Sequence, residues 1–563
     1  MNGNAGDALE DMIRARFRLA DIDVESIVAR RFPNENIVIV EVREQHFMSA
    51  VEFANSLDLS AQNAFVTVRR VAVTAKKDES KLASLADSRI TKFIELIDAR
   101  SRTSGTQGSL HYVQDVASNL NLCLSPRHNL IFGRRGVGKT ALMLEAKRIA
   151  EERGNLTFWI NIQTIGSLSA SAALVTTASR LMDIVRVAHS GRLVPPKSVV
   201  EGAELQRQLA QALGTRDITV SNASYFLPRI QNVLTLLSHE TQSHLYLFLD
   251  DIHYLTMSEQ PRFLDMIHAV TRDSNVWIKA AGIKHQTRWF NDNPPVGLQT
   301  GHDAKLIELD ITLEDPGKAK NFLYEIGKAY ADEVGINSTN SFLPQSTIDR
   351  LVLASGGVPR DFLVLASQAI RVGQRRAKAR IVGIQDVNEA AGQLAQLKIQ
   401  ELEQDAAASI GSAQSRVDAL KRLSNYLLEE KQTTYFRIDY KDKEDHPKEY
   451  GLLQSLMDLR MIHLIHGGLS DEHRAGQRSE VYMLDLSRYS SSRFKHQLRV
   501  LDFSRNHLVL KTTGTTESPR IGDTPKRLLG ILRRGVVFEL GELTSFLRAP
   551  KAPRKQRKGT AST

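Results

Sequence analysis

Three features of this 563-residue sequence predict an α/β fold, in which a parallel sheet covered by helices is followed by a helical segment and a smaller helix-and-strand domain. From about residue 128 to 312, short strongly apolar runs alternate with helical segments, the pattern of strands buried on both faces. A glycine-rich turn, Gly133 to Thr140, lies between the first such run and a helical one. Beyond residue 312 the helical period continues alone to about Gln396 and then gives way to a mixed order of helices and strands.

Taken in order, residues 1–85 read as a small α/β region, with strand-like Ile37 to Val42 and Phe65 to Thr74 around helical Met48 to Leu57. The charged stretch Lys76 to Ser84 reads as a linker, and helical spacing follows in Ile90 to Arg100 and Tyr112 to Leu122, leading into the core. The core, residues 100–312, offers five strands: Asn129 to Phe132, Leu156 to Ile162, Leu245 to Leu249, Val276 to Ile283 and Leu306 to Ile311. Between the second and third lie about 80 residues, helical apart from a loop at Pro195 and Pro196 and longer than one crossover requires. Residues 313–400 read as a helical lid, broken at Gly356 to Arg360. In residues 412–490 the order is helix Arg416 to Glu430, strand Thr434 to Tyr440, a helix near Tyr450 to Leu459, and strands Met461 to Ile465 and Val481 to Leu486. That is the order of a winged helix. Residues 491–547 read as a helical region around Pro525 to Arg534, and residues 548–563 as a disordered basic tail.

Composition, 42% hydrophobic and 25% charged, excludes a disordered or fibrous chain. No run has the eighteen or so apolar residues of a membrane span, and Met1 to Glu10 carry no secretory leader, so a cytoplasmic location is expected. The single cysteine, Cys123, lies in an apolar run and is expected in the core, which excludes a Cys-rich metal site. Net charge is +10, but Arg548, Lys551, Arg554, Lys555, Arg557 and Lys558 of the tail supply six of the positive charges.

The turn reads Gly133, Arg134, Arg135, Gly136, Val137, Gly138, Lys139, Thr140 and runs into helical Ala141. Three glycines let successive backbone N–H groups face one anion, aided by the positive end of the next helix, which is how phosphate is gripped. Lys139 would reach the β- and γ-phosphates of ATP, and Thr140 would offer its hydroxyl to Mg²⁺. The metal also needs a carboxylate at the tip of an adjacent strand, and Leu245 to Asp251 supplies a buried run ending in two acids. Asp250 would bind Mg²⁺, and Asp251 would orient or deprotonate the attacking water. At the end of the fourth strand, Lys284 or His285 would sense the γ-phosphate, and Arg288 would be either an exposed loop charge or a contact to a neighbouring subunit.

With these features in this order, the chain resembles the AAA+ P-loop ATPases and, among them, the initiator clade of origin-recognition proteins. The resemblance covers about residues 110–490 and implies a P-loop NTPase sheet with a helical lid and a winged helix after it. It also implies that Arg360, in Gly356-Gly-Val-Pro-Arg360, is the lid arginine reaching the γ-phosphate, and that Ile384 to Ala391 closes the lid. Two departures stand out. Asp250-Asp251 replaces the Asp-Glu usual in the clade and is similar to the STAND signalling ATPases, as is Gly-Arg-Arg-Gly before the lysine. Asn291 to Ala304 contains no arginine, so the usual trans-acting residue before the fifth strand is missing. Slow hydrolysis, with ATP acting as a switch, is the expectation.

The winged helix would present Lys448, Gln454, Ser455 and Arg460 beside Glu449 and Asp458, with Arg474 and Arg478 in the wing against Asp471, Glu472 and Glu480. This balanced surface predicts modest DNA affinity, with the tail adding a salt-sensitive part. The cluster Arg371, Arg375, Arg376, Lys378 and Arg380 suits a helix C-terminus without any partner. His463 and His466 have no third ligand nearby. Two functions therefore stay open: an initiator-like ATPase whose nucleotide state controls DNA engagement and assembly, or a STAND-like signalling or scaffold ATPase, including one defending against mobile DNA, whose winged helix binds protein.

Overall fold

A computed structural model of the chain describes residues 4–31, 36–42, 46–57, 59, 64–70, 82, 84–101, 113, 118–188, 195–214, 218–408, 412–471, 476–490 and 497–547. The expected linker falls almost wholly outside these residues. So do the basic tail and the wing residues Glu472 and Arg474. The chain divides into two compact units, Met1–Ser80 and Lys81–Thr563.

In the first unit, α1 (Asn4–Leu19), β1 (Val24–Arg31), β2 (Asn36–Val42), α2 (Phe47–Ser56) and β3 (Ala64–Arg70) follow one another. The sheet runs β1-β2-β3, antiparallel then parallel. Alternate residues Val38, Val40 and Val42 turn inward with Ile27 and Ala64, where they meet Ile13 and Phe17 of α1 and Ala50 of α2. The expected strand and helix at β2 and α2 are present, as is the expected strand at β3 up to Arg70, with residues 71–74 of that expectation outside the described residues. Neither α1 nor β1 was legible in the sequence.

The second unit begins with α3 (Ser88–Ser101) and α4 (Asn119–Leu124). A parallel sheet with its crossovers follows: β4 (His128–Phe132), α5 (Lys139–Glu152), β5 (Leu156–Asn161), α6 (Ala170–Ala188), α7 (Lys197–Gly214), α8 (Val220–Thr241), β6 (Leu245–Asp250), α9 (Gln260–Thr271), β7 (Val276–Gly282), a small hairpin β8 (Phe290–Asp292) and β9 (Pro295–Gly297), and β10 (Ala304–Glu308). The order across the sheet is β10-β4-β7-β6-β5 with every pair parallel. All six residues of β6 are buried. Leu245, Leu247 and Leu249 face the core under α6 to α9, and Tyr246 and Phe248 face the core under α4 and α5. Covering both faces is what makes this strand a continuous apolar run rather than an alternating one. Cys123 is buried as expected, and burial pushes its thiol up to about 11.

The lid consists of α10 (Pro316–Glu333), α11 (Gln345–Ser355), α12 (Pro359–Gln374) and α13 (Ile384–Ala408). Helix α12 starts on Pro359, carries Asp361 in its first turn and Arg371 in its last, and buries Phe362, Leu365, Ala366, Ala369 and Ile370 along one face. Then come α14 (Ser412–Asn425), β11 (Tyr435–Asp439), α15 (Tyr440–Asp445), α16 (Pro447–Asp458), β12 (Ile462–Ser470) and β13 (Arg478–Leu484), the helix and strand order expected of residues 412–490 with one additional short helix. The C-terminal part comprises β14 (Arg499–Ser504), β15 (His507–Thr512), β16 (Arg520–Ile521), α17 (Pro525–Leu532) and β17 (Val536–Val537).

Two expectations are corrected here. Residues 491–547 are not simply helical, because β14, β15 and β16 form an antiparallel sheet. The β14-β15 hairpin turns on Arg505 and Asn506, both at positive φ (48° and 69°), a two-residue turn without the usual Asn-Gly signal. Helix α3 does not lead into the sheet. Its Ile90, Phe93, Ile94 and Ile97 join the hydrophobic core of the lid and the C-terminal strands, with Phe93 edge-on to Phe342 at 5.5 Å.

Candidate nucleotide site

The loop from β4 to α5 adopts the conformation its glycines permit. Gly136 and Gly138 sit at φ +85° and +102°, and Gly138 caps α5. A Cβ on Gly136 would come within 2.9 Å of the Arg360 Cβ, so the lid helix rests directly on the loop. The Arg360 backbone N–H also donates to the Gly136 carbonyl at 3.2 Å. Thus the lid arginine and the glycine-rich loop, 224 positions apart by subtraction of their numbers, are brought together.

Lys139 is buried, and its Nζ donates to the carbonyls of Gly133 (2.8 Å) and Arg134 (3.1 Å). Burial lowers its pKa, while Asp251, Asp310 and Asp250 oppose the shift. Thr140 Oγ1 donates to Asp250 Oδ2 at 2.8 Å, which joins the start of α5 to the tip of β6. The sequence placed this acid on a strand adjacent to the loop's own. Instead β7 lies between β4 and β6, and Asp250 reaches Thr140 across it. Asp250 is 2% exposed, and its Oδ1 is buried without a hydrogen-bond partner among the described residues. Burial, and then the neighbouring Asp251, push its carboxyl up to about 6.

Asp251 stands just past the strand at φ +61°. Burial raises its pKa, and Lys139, Arg135 and a hydrogen bond from Asn161 at the end of β5 oppose the rise. His253, which the sequence reading passed over, has a buried side chain whose Nδ1 lies 3.9 Å from Asp251 Oδ1. Burial pushes this imidazole down to about 4, so it is neutral. Its signal in the sequence was the pattern Asp-Asp-Ile-His at the strand end.

Arg134 is a correction. Expected among the phosphate-gripping residues, it turns its guanidinium the other way. Its Nε donates to Asp310 Oδ1 (3.1 Å), its Nη2 donates to the carbonyls of Ile311 (3.0 Å) and Gly356 (3.4 Å), and its backbone N–H also meets Asp310 (2.9 Å). It therefore fastens the loop to the end of β10 and to the hinge of the lid. Arg135 is exposed at the loop, Val137 is buried and Ala141 lies in the first turn of α5. Lys284 pairs with Glu308, both of them exposed, and His285 Nε2 bonds Asp458 Oδ2 of α16 at 2.9 Å. Both residues expected to sense phosphate are thus engaged elsewhere in this structure. Arg288 is exposed.

The hydroxyl of Thr140 and the unpartnered oxygen of Asp250 are hard oxygen donors suited to Mg²⁺. No cluster of three or more metal-ligating His, Cys, Asp or Glu occurs among the described residues. His463 bonds Asp485 (2.9 Å) and His466 lies 3.5 Å from Glu314. In the basic cluster, Arg371 pairs with Asp98, Arg375 with Glu389 and Arg376 with Asp386. No described helix is long and apolar enough to cross a membrane.

A phosphate-loop strand flanked on one side by the last strand of the sheet, with the acid-bearing strand beyond its other neighbour, puts the core in the P-loop nucleotide-binding class. Residues 118–278 match the family model described as an AAA ATPase domain, so this core is of the AAA+ P-loop type. Among solved structures, the chain is similar to the Aeropyrum pernix ORC1 protein in complex with DNA, at 15% identity over 73% of this chain and 92% of that one, with a TM-score of 0.31. It is also similar to C. elegans PCH-2, at 11% identity over 69% and 93%, with a TM-score of 0.25. A search of curated proteins found no match.

Proposed function

We propose that the chain binds ATP with Mg²⁺ between its sheet and its lid, hydrolyses it slowly, and uses nucleotide state to control engagement of DNA in the manner of an initiator-type ATPase. The observation that carries the site is the Thr140–Asp250 bond beside an unpartnered Asp250 oxygen, with Lys139 held only by carbonyls of its own loop. Backbone amides of the loop beyond Arg134, through residue 141, would bind the phosphates, and Lys139 would exchange its two carbonyl partners for phosphate oxygens. Thr140 and Asp250 would hold Mg²⁺, which when bound neutralises charge on the phosphates. Asp251, supported by Asn161, would orient water, and Arg360 would contact the γ-phosphate from the lid. Two acids whose charged forms burial disfavours, Asp250 further disfavoured by the charge of Asp251, are what a divalent cation would relieve.

The test is titration of a fluorescent ATP analogue with and without Mg²⁺, alongside phosphate release. Equal affinity in Lys139→Ala and the wild-type chain would falsify the site. For DNA, affinity is measured against salt with and without ATP, and no ATP-dependent, salt-sensitive binding sinks that part. The helix and strand order from α14 to β13 supports a winged helix. One observation favours the rival reading, a STAND-like signalling ATPase whose winged helix binds protein: the C-terminal end of α16 is already occupied, Asp458 by Gln286 (2.6 Å) and His285, and Arg460 by Asp361 (2.6 Å). Measuring particle mass with and without ATP bears on both readings.

A further inference from the structure

Arg460 lies two residues beyond α16, at φ +61°, in a left-handed conformation that a non-glycine residue keeps only when its surroundings hold it. They do so on both sides. Asp458 accepts from Gln286 (2.6 Å) and lies 2.9 Å from His285 on the core. The ring of His463, fixed by Asp485, packs so closely on Gly356 that a Cβ there would stand 2.2 Å from Nδ1. So anchored, Arg460 places Nη1 2.6 Å from Asp361 Oδ1, and its Nε is buried without a hydrogen-bond partner.

Asp361 directly follows Arg360, whose backbone is bonded to Gly136 of the loop. Burial lowers the Arg360 pKa, the charge of Arg460 lowers it further, and that of Asp361 opposes both. Asp361 is nearly buried, directly follows Arg360 in the first turn of α12, and is held by the Arg460 guanidinium from the C-terminal region.

We propose that Arg460 is a positioning residue for the nucleotide site: by occupying Asp361 it prevents that acid from capturing Arg360, and so leaves the Arg360 guanidinium available to the γ-phosphate. The inference rests on the reading of Arg360 as the γ-phosphate contact. Docking of the α16 segment would then arm the lid for ATP while adding nothing to ADP binding, because ADP lacks the group that Arg360 meets.

The experiment compares ATP and ADP affinities and KM against kcat in the full chain. Arg460→Ala is expected to weaken ATP binding about tenfold with ADP affinity unchanged, and Arg460→Lys, which keeps the pair, to retain most of the preference. Asp361→Asn alone is expected to keep the ATP preference. Arg460→Ala combined with Asp361→Asn is expected to recover it, since no acid remains to capture Arg360. A merely structural pair would also be rescued in stability by removing its acid, but its loss would change ATP and ADP affinity alike, so the ATP-to-ADP ratio is the deciding readout. An unchanged ATP-to-ADP ratio in Arg460→Ala, a double variant no better than the single one, or loss of ATP preference in Asp361→Asn overturns the proposal. Asp361→Asn and Arg460→Lys keep the test decisive if Arg460→Ala fails to fold. Arg360→Ala separates the two levels: if it binds ATP and ADP like the wild type, the reading of Arg360 fails and the inference falls with it. If Arg360→Ala loses ATP preference while Arg460→Ala keeps it, only the inference fails.

Discussion

The sheet buries two lysines, and they differ in what satisfies them. Lys279, on β7 beside the start of β4, is fully buried, and its three donors meet three acceptors: the carbonyls of Ser125 (2.8 Å) and Arg127 (2.7 Å) and the Asn129 side chain. The Tyr246 ring lies 5.3 Å away, and burial pushes the amine down to about 8. Lys139, past the other end of β4, has two partners, both backbone carbonyls of the loop that it belongs to. An ammonium brings three donors. Where all three are matched by the neighbouring stretch 125–129, distant in sequence from the lysine, it is part of the framework. Where they are lent by its own loop the partners are exchangeable, and a ligand can take their place.

That contrast breaks most visibly in a paired substitution. Lys139→Ala should weaken nucleotide binding by about a hundredfold or more while leaving the melting point of the free chain almost unchanged. Lys279→Ala should lose about 3 kcal/mol of stability, because three buried acceptors are orphaned, with nucleotide affinity retained in the folded fraction. Denaturant melts and nucleotide titrations read both, and a crossed result would erase the distinction. Next in size, Arg134→Ala should cost about 2 kcal/mol and loosen the lid, seen as faster amide exchange around Gly356. Asp250→Asn should sharpen the picture from the other side, raising the melting point of the free chain above pH 6 while abolishing the dependence of nucleotide affinity on Mg²⁺.

The smallest effect is a pH dependence at the Lys279 end. Burial, then His268 and Lys279, lower the His128 pKa from 6.5 to about 4, and its Nδ1 accepts the Ile278 N–H at 3.0 Å. The folded chain thus binds fewer protons there than the unfolded chain. The stability this group contributes is present above about pH 6.5 and falls as pH drops toward 4. His128→Asn should flatten melting temperature against pH in that window, and an unchanged slope would remove His128 as the cause.

What the sequence disclosed follows the same division. The parallel strands were legible because burial on two faces leaves an unbroken apolar run, as in β6, and the phosphate loop because left-handed glycines and a lysine at fixed spacing have few other uses. The β14-β15 hairpin was not, since Arg505 and Asn506 supply a turn usually announced by glycine. The side-chain direction of Arg134 was hidden because its acid, Asp310, lies 176 residues on. The Arg460–Asp361 pair was hidden for the same reason. Spacing along the chain conveys local geometry and is silent about which distant charge will be met.

Strand β10 reaches the sheet late in the chain yet pairs with β4, the strand that carries the phosphate loop, and is followed at once by Asp310. The matched stretch, residues 118–278, therefore does not contain everything that shapes its own loop. Cut out and grafted into another protein, it would have a bare sheet edge along β4, a truncated β7 and a buried arginine with no acid to meet. The proposed nucleotide site is therefore not confined to that stretch: residues beyond its C-terminal end, Asp310 and Arg360 among them, shape the loop.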